Sequence, residues 1–367
     1  MSSYKHTDET AILNALKEIS DPEQLGNIVE HQRITGLVVK NGEVSFAISL
    51  PAAIAQKSET LRKSAEMLVK NLPGIHSVKA ILTAHRPAPA SPSVPPSRQM
   101  KTSVPGVRHI IAVASGKGGV GKSTSAVNLA LGLQSLGLKI GLLDADIYGP
   151  SQPRLLGLTG KPSSLDGKTL QPMLGFGLKV MSMGFLIPED TPMIWRGPMV
   201  MSAINQLLRD VAWGDLDVLV ADLPPGTGDA QLTMAQQVPL SGAVIVSTPQ
   251  DIALIDAKKG MNMFRKVEVP LLGIIENMSY FSCPHCGKRS DIFAHGGARD
   301  EAIKNNVPFL GEIPLALDIR QTSDEGRPIV QSQPQSPYAI AYIEIAKKVW
   351  EGLQQQQRMA PSIVVEN

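Results

Sequence analysis

The chain has 367 residues, 43% hydrophobic and 19% charged, with a formal net charge of +2, which excludes a disordered polyelectrolyte and a strongly basic nucleic-acid surface. With 32 glycines and 28 prolines against 4% aromatics, the composition favours an α/β protein of two or three domains over an all-β one. No run approaches the ~20 apolar residues of a membrane span, and the polar start MSSYKHTDET lacks a secretory core, so a cytoplasmic setting is expected, with no membrane and no nucleic-acid partner.

In chain order, residues 1–86 predict a small α+β domain. DETAILNALKEIS carries Ile12, Leu13, Leu16 and Ile19 at helical spacing, RITGLVVKNGEVSFAISL reads as two strands about Asn41-Gly42, TLRKSAEMLVKNL as a helix and IHSVKAILTA as a strand. The Pro/Ser-rich stretch 87–106 predicts a semi-extended linker. From 107 to 352 the runs HIIAVAS, KIGLLDAD, DVLVAD, GAVIVST, LLGIIEN and PFLGEI alternate with helical stretches such as STSAVNLALGLQSLG. That alternation predicts a doubly wound, mostly parallel sheet covered by helices. YAIAYIEIAKKVWEG reads as a capping helix, and a flexible tail is expected over 353–367.

Between the first strand and first long helix of the larger domain lies SGKGGVGKST, which fits G-x-x-x-x-G-K-[ST]. Gly116, Gly118, Gly119 and Gly121, with Val120 and Thr124, would wrap phosphates in backbone N–H groups. Lys122 would reach the β and γ phosphates and the Ser123 hydroxyl would ligate Mg2+. Asp144 and Asp146 end one strand-like run and Asp222 ends another, where Asp222 is placed to hold the Mg2+ shell. Lys117 is a second lysine in a loop that needs one, and in a generic P-loop it would be a surface charge.

Both cysteines of the chain, Cys283 and Cys286, lie in FSCPHCGKRS. A reducing compartment and a two-residue loop disfavour a disulfide, leaving a metal or redox site. Two thiolates do not complete a four-ligand site, whereas two pairs related by a two-fold axis do. On the motif alone, zinc and an iron-sulfur cluster both stay open, and a thioredoxin-like dithiol fits less well. His285 and His295 are then surplus as ligands.

GKGGVGKS resembles the deviant Walker A sequence of dimeric ATPases. Together with DADIYGPS, SMGFL, WRGPMV, DLPPGTGD, STPQDIALIDAKKG, ENMSYFSCPHCG and RPIV, it is similar to the Mrp/ApbC iron-sulfur carrier family over nearly all of residues 107–350. The first domain, with ISDPE and LPGIHSVKAIL, resembles the MIP18-like (DUF59) module. The resemblance implies that Lys117 reaches across a homodimer to the partner's ATP and that Asp146 positions the attacking water, with Asp144 near Mg2+. It further implies that Asn277 contacts adenine and that Cys283 and Cys286 of two protomers bridge a 4Fe-4S cluster. Two departures stand out: DIFAHGG follows the cysteines where relatives more often have a glycine, and LPAAIAQ lacks the cysteine of some related modules.

The expected protein is an ATP-hydrolysing cluster carrier that receives a cluster from donors and passes it to apo iron-sulfur proteins. The rivals are a positioning ATPase of the MinD or ParA type and an ATP-gated electron-transfer protein.

Overall fold

The computed structural model describes residues 9–22, 26–31, 33–40, 42–51, 59–85, 103–164, 166–186 and 197–359. Most of the expected linker, part of LPAAIAQ, the start of WRGPMV and residues 360–367 lie outside them. The chain divides into two compact units, Met1–Gln99 and Met100–Asn367.

In the first unit, helix α1 (Glu9–Leu16) and strands β1 (Ile34–Lys40) and β2 (Glu43–Pro51) are followed by helix α2 (Glu59–Lys70) and strand β3 (Ser77–His85). The sheet order is β1-β2-β3, antiparallel for the first pair and parallel for the second. Val44, Phe46, Ile48 and Leu50 are buried at alternate positions of β2, the period that turns one face of a strand inward. Against that face lie Ile12 and Leu16 of α1 and Ala65 and Val69 of α2, each pair spaced by four residues on one helical side. Asp21, whose carboxylate is buried, takes the Arg33 guanidinium at 2.7 Å.

The second unit begins with β4 (Val107–Ala114), α3 (Lys122–Ser135), β5 (Ile140–Asp144), the short α4 (Gln152–Leu155), β6 (Met173–Gly175) and β7 (Leu178–Ser182). Next come α5 (Gly197–Arg209), β8 (Leu216–Asp222), α6 (Asp229–Gln237), β9 (Gly242–Ser247), α7 (Asp251–Lys266) and β10 (Leu271–Ser282). The unit closes with β11 (Arg289–Ser290), α8 (Gly297–Lys304), β12 (Phe309–Leu315), α9 (Leu317–Asp324), α10 (Ile329–Ser332) and α11 (Pro337–Met359). Strands fall on all six expected runs. Among the described residues they join a nine-stranded sheet in which β12, β10, β9, β4, β8, β5 and β7 run parallel in that spatial order.

Three strands were not expected, β6, β7 and β11. β6 pairs antiparallel with β7 at one edge, and β11 folds back on the end of β10. β6 and β11, three and two residues long at the margins of the sheet, are too short for a period to show in sequence, and β7, five residues between β5 and β6, is placed by that pairing.

Helix α3 is buried nearly all round, through Ala126, Val127, Leu129, Ala130 and Leu133, because it is sandwiched between the sheet and α11. On α11 the buried residues Ala339, Tyr342, Ala346, Val349 and Leu353 repeat every three or four positions. The expected flexible tail therefore begins too early: Leu353 is 1% exposed and the helix runs to Met359. At the other end Val104, inside the stretch read as linker, is buried in the second unit's core.

Candidate functional site

Parallel strands aim their carboxyl ends the same way, and the residues singled out in the second unit collect along that edge. The loop 115–121 follows β4, and Asp144 and Asp222 are the last residues of β5 and β8 and stand as register partners. Segment 223–228, which follows β8, is tied to the loop by the Gly226 N–H, which donates to the Ser115 carbonyl at 2.9 Å.

Two glycines of the loop are demanded by what packs on them. A Cβ at Gly116 would strike the Asp256 backbone of α7, and one at Gly121, which adopts φ 81°, would strike the Asn277 amide. Asn277 Nδ2 donates to the Val120 carbonyl at 2.8 Å, so β10 touches the loop directly. Lys117, Gly118 and Gly119 are exposed, while Val120 is buried and Ser123 and Thr124 are half-buried at the start of α3.

Lys122 is 6% exposed and folds inward. Its ammonium pairs with Asp222 Oδ1, lies 3.2 Å from Ser123 Oγ and 3.8 Å from Asp146 Oδ2. The other oxygen of Asp222 accepts from Gln152 Nε2 at 2.8 Å, and the same amide reaches the Ser123 carbonyl at 3.1 Å. Gln152 escaped the sequence reading, since nothing in SQP announces an amide that will lie beside a carboxylate seventy residues away.

Asp144 is fully buried and faces inward. It accepts from the backbone N–H groups of Asp146, Ser151 and Gln152 and from the Ser182 hydroxyl, at 3.0 to 3.2 Å. It thus pins the 146–152 segment to the end of β5. Burial, with the charge of Asp222 beside it, pushes Asp144 up to about 7 against the pull of those donors. Burial likewise raises Asp146, and Lys122 opposes the shift. Asp146 lines a cleft of about 380 Å³ with Tyr148, Gly149, Pro224, Pro225, Gly228 and Gln231.

The same edge carries the cysteines, just beyond the end of β10. Cys283 N–H donates to the Lys288 carbonyl at 3.0 Å and Gly287 N–H to the Cys283 carbonyl at 2.8 Å, closing a tight knuckle before β11. Cys283 is half-buried, Cys286 is exposed, and both are reduced. The backbone N–H groups of His285 and Cys286 turn toward the Cys283 sulfur and hold its thiol below the ordinary range, which favours the thiolate that binds metal.

Behind the knuckle, β10 is braced by a polar network. Glu276, fully buried, accepts from Ser279 Oγ at 2.6 Å and from the backbone N–H groups of Gly296 and Ala298 at 2.9 and 2.7 Å, capping α8. His295 Nδ1 meets Ser279 Oγ at 2.9 Å and its Nε2 lies 3.6 Å from Glu312. Between the loop contact at Asn277 and the cysteines, β10 breaks register with β12, and Met278 takes a left-handed φ of 54°.

Comparison with known proteins follows this geometry. Residues 106–350 match the ParA-like family described as NUBPL iron-transfer P-loop NTPase, and residues 9–81 match a family described as iron-sulfur cluster assembly protein. The chain is 47% identical to an iron-sulfur cluster carrier protein of Synechocystis, over 92% of this chain and 96% of that protein. It is 57% identical to an iron-sulfur cluster transfer protein NUBPL of Dictyostelium discoideum, over 69% of this chain and 79% of that one. Among solved structures, a nucleotide-binding protein from Archaeoglobus fulgidus in complex with ADP is 43% identical, with a TM-score of 0.56 over 64% of this chain and 91% of that one.

Proposed function

The chain belongs to the NUBPL iron-transfer P-loop NTPase family, and from that premise we propose that it binds and slowly hydrolyses ATP at the 116–124 loop while carrying a 4Fe-4S cluster as cargo for apo-proteins. It is an iron-sulfur cluster carrier of the ATP-dependent class. A homodimer, acting in the cytoplasm, supplies four thiolates from two copies of Cys283 and Cys286. Lys117, exposed in the single chain, reaches the partner's nucleotide, and Asn277 serves adenine in addition to the Val120 carbonyl.

The observation that carries this reading is strand β10. One element holds Asn277 against the phosphate-binding loop and, six residues later, presents Cys283. Movement of the loop on nucleotide binding therefore has a direct path to the cargo. A positioning role of the MinD or ParA type would leave the cysteine knuckle without a task.

Phosphates entering the loop draw Lys122 away from Asp222. The Asp222 carboxylate and the Ser123 hydroxyl offer the oxygen donors that suit Mg2+, and Asp146, 3.8 Å from the Lys122 ammonium, is left to position the attacking water. When bound there, Mg2+ neutralises charge on the β and γ phosphate oxygens. Asp144 keeps the 146–152 segment in place, which would hold Asp146 toward the phosphoryl group being transferred.

Anaerobic reconstitution with iron and sulfide tests the cargo site. About four iron per dimer and a brown absorbance, both lost in Cys283→Ala, are expected. Zinc at about one per dimer that iron loading does not displace would make the knuckle structural. The coupling fails if transfer from the loaded dimer to an apo-protein is indifferent to ATP, ADP and Lys117→Ala.

A further inference from the structure

Gln231, the third residue of α6, is 2% exposed, and among the described residues neither its Nε2 nor its Oε1 has a hydrogen-bond partner. A buried amide left unsatisfied destabilises a fold, whereas a methionine of similar length would fill the same space without that cost. The chain thus holds a donor and an acceptor dry at one point of the fold. That point is the wall of the cleft shared by Asp146, Tyr148 and Gly149 on one side and Pro224, Pro225 and Gly228 on the other. The cleft opens beside Asp146, the carboxylate proposed to aim the attacking water.

A nucleophilic water needs an acceptor to fix its orientation, and the phosphoryl oxygens that gather charge need a donor. A primary amide offers both from one side chain. We propose that Gln231 is a further catalytic residue of ATP hydrolysis: Oε1 accepts a hydrogen bond from the attacking water while Nε2 donates to an oxygen of the γ phosphate. The water oxygen forms a bond to the γ phosphorus as the bond to the β–γ bridging oxygen breaks. Its electron pair leaves with ADP, and the water's protons end on inorganic phosphate or in solvent. Asp146 and Gln231 hold the water from two elements, so the site is complete only when the segments after β5 and β8 close together. This rests on the ATPase reading above.

Single-turnover hydrolysis of Mg-ATP by the full chain tests it, with Gln231→Met and Gln231→Glu, alongside ATP affinity and thermal melting. Gln231→Met is expected to slow hydrolysis ~10- to 100-fold, to leave ATP affinity within about twofold, and to melt no lower than wild type because the orphaned amide is gone. Gln231→Glu, which keeps an acceptor, is expected to lie between the two. A hydrolysis rate within about twofold of wild type in Gln231→Met, or a loss that appears wholly in ATP affinity, would overturn the proposal. Failure of the underlying reading shows separately, as a wild-type protein that binds ATP and never cleaves it; that result overturns both.

Discussion

Lys122 and Asp222 each make the other's burial tolerable, since one is 6% exposed and the other not at all. Removing one partner of such a pair leaves a charge stranded in low dielectric. Lys122→Met is expected to lower the stability of the nucleotide-free protein by about 3 kcal/mol in urea denaturation. The double change with Asp222→Asn should cost less than the sum of the singles. The positions of Lys122 and Ser123 at the start of α3 were legible in sequence because the P-loop spacing fixes them locally, and that of Asp222 because it ends an apolar strand-like run. Gln152 and Gln231 were not, because an amide acquires meaning only from what tertiary structure sets beside it. Asp144 shows the intermediate case: its place at a strand end was readable, whereas its grip on the Ser151 and Gln152 N–H groups was not.

At the level of elements, the phosphate loop is held by neighbours rather than by its own sequence. Helix α7 presses its backbone on Gly116, and β10 presses Asn277 on Gly121. Gly116→Ala is expected to displace the loop from α7 and reduce ATP affinity at least ~10-fold. Its measured consequence should exceed that of Gly118→Ala, since a Cβ at Gly118 meets nothing within 4 Å. Titration with a fluorescent ATP analogue on both variants decides it. The six expected strands were readable because buried parallel strands are continuous apolar runs. β6, β7 and β11 were not, being short and placed by pairing rather than by composition.

For the molecule as a whole, each unit closes a core of its own, one on Ile12, Ile48 and Val69, the other on the nine-stranded sheet. A chain starting at Met100 is therefore expected to fold alone, to melt in a single transition and to bind ATP as tightly as the full chain. Calorimetry and nucleotide titration on that fragment check it. The division at the proline-rich stretch was visible in composition; the helical continuation through the glutamines was not, because Leu353 is buried only once α11 lies against its neighbours. The left-handed backbone at Met278 bears on leverage. The strand itself runs on through that residue to Ser282, so the loop contact at Asn277 and the cysteine knuckle stay on one lever, bent where its register with β12 shifts. A small displacement of Asn277 would then reach Cys283 as a change of direction, with no rearrangement of the core.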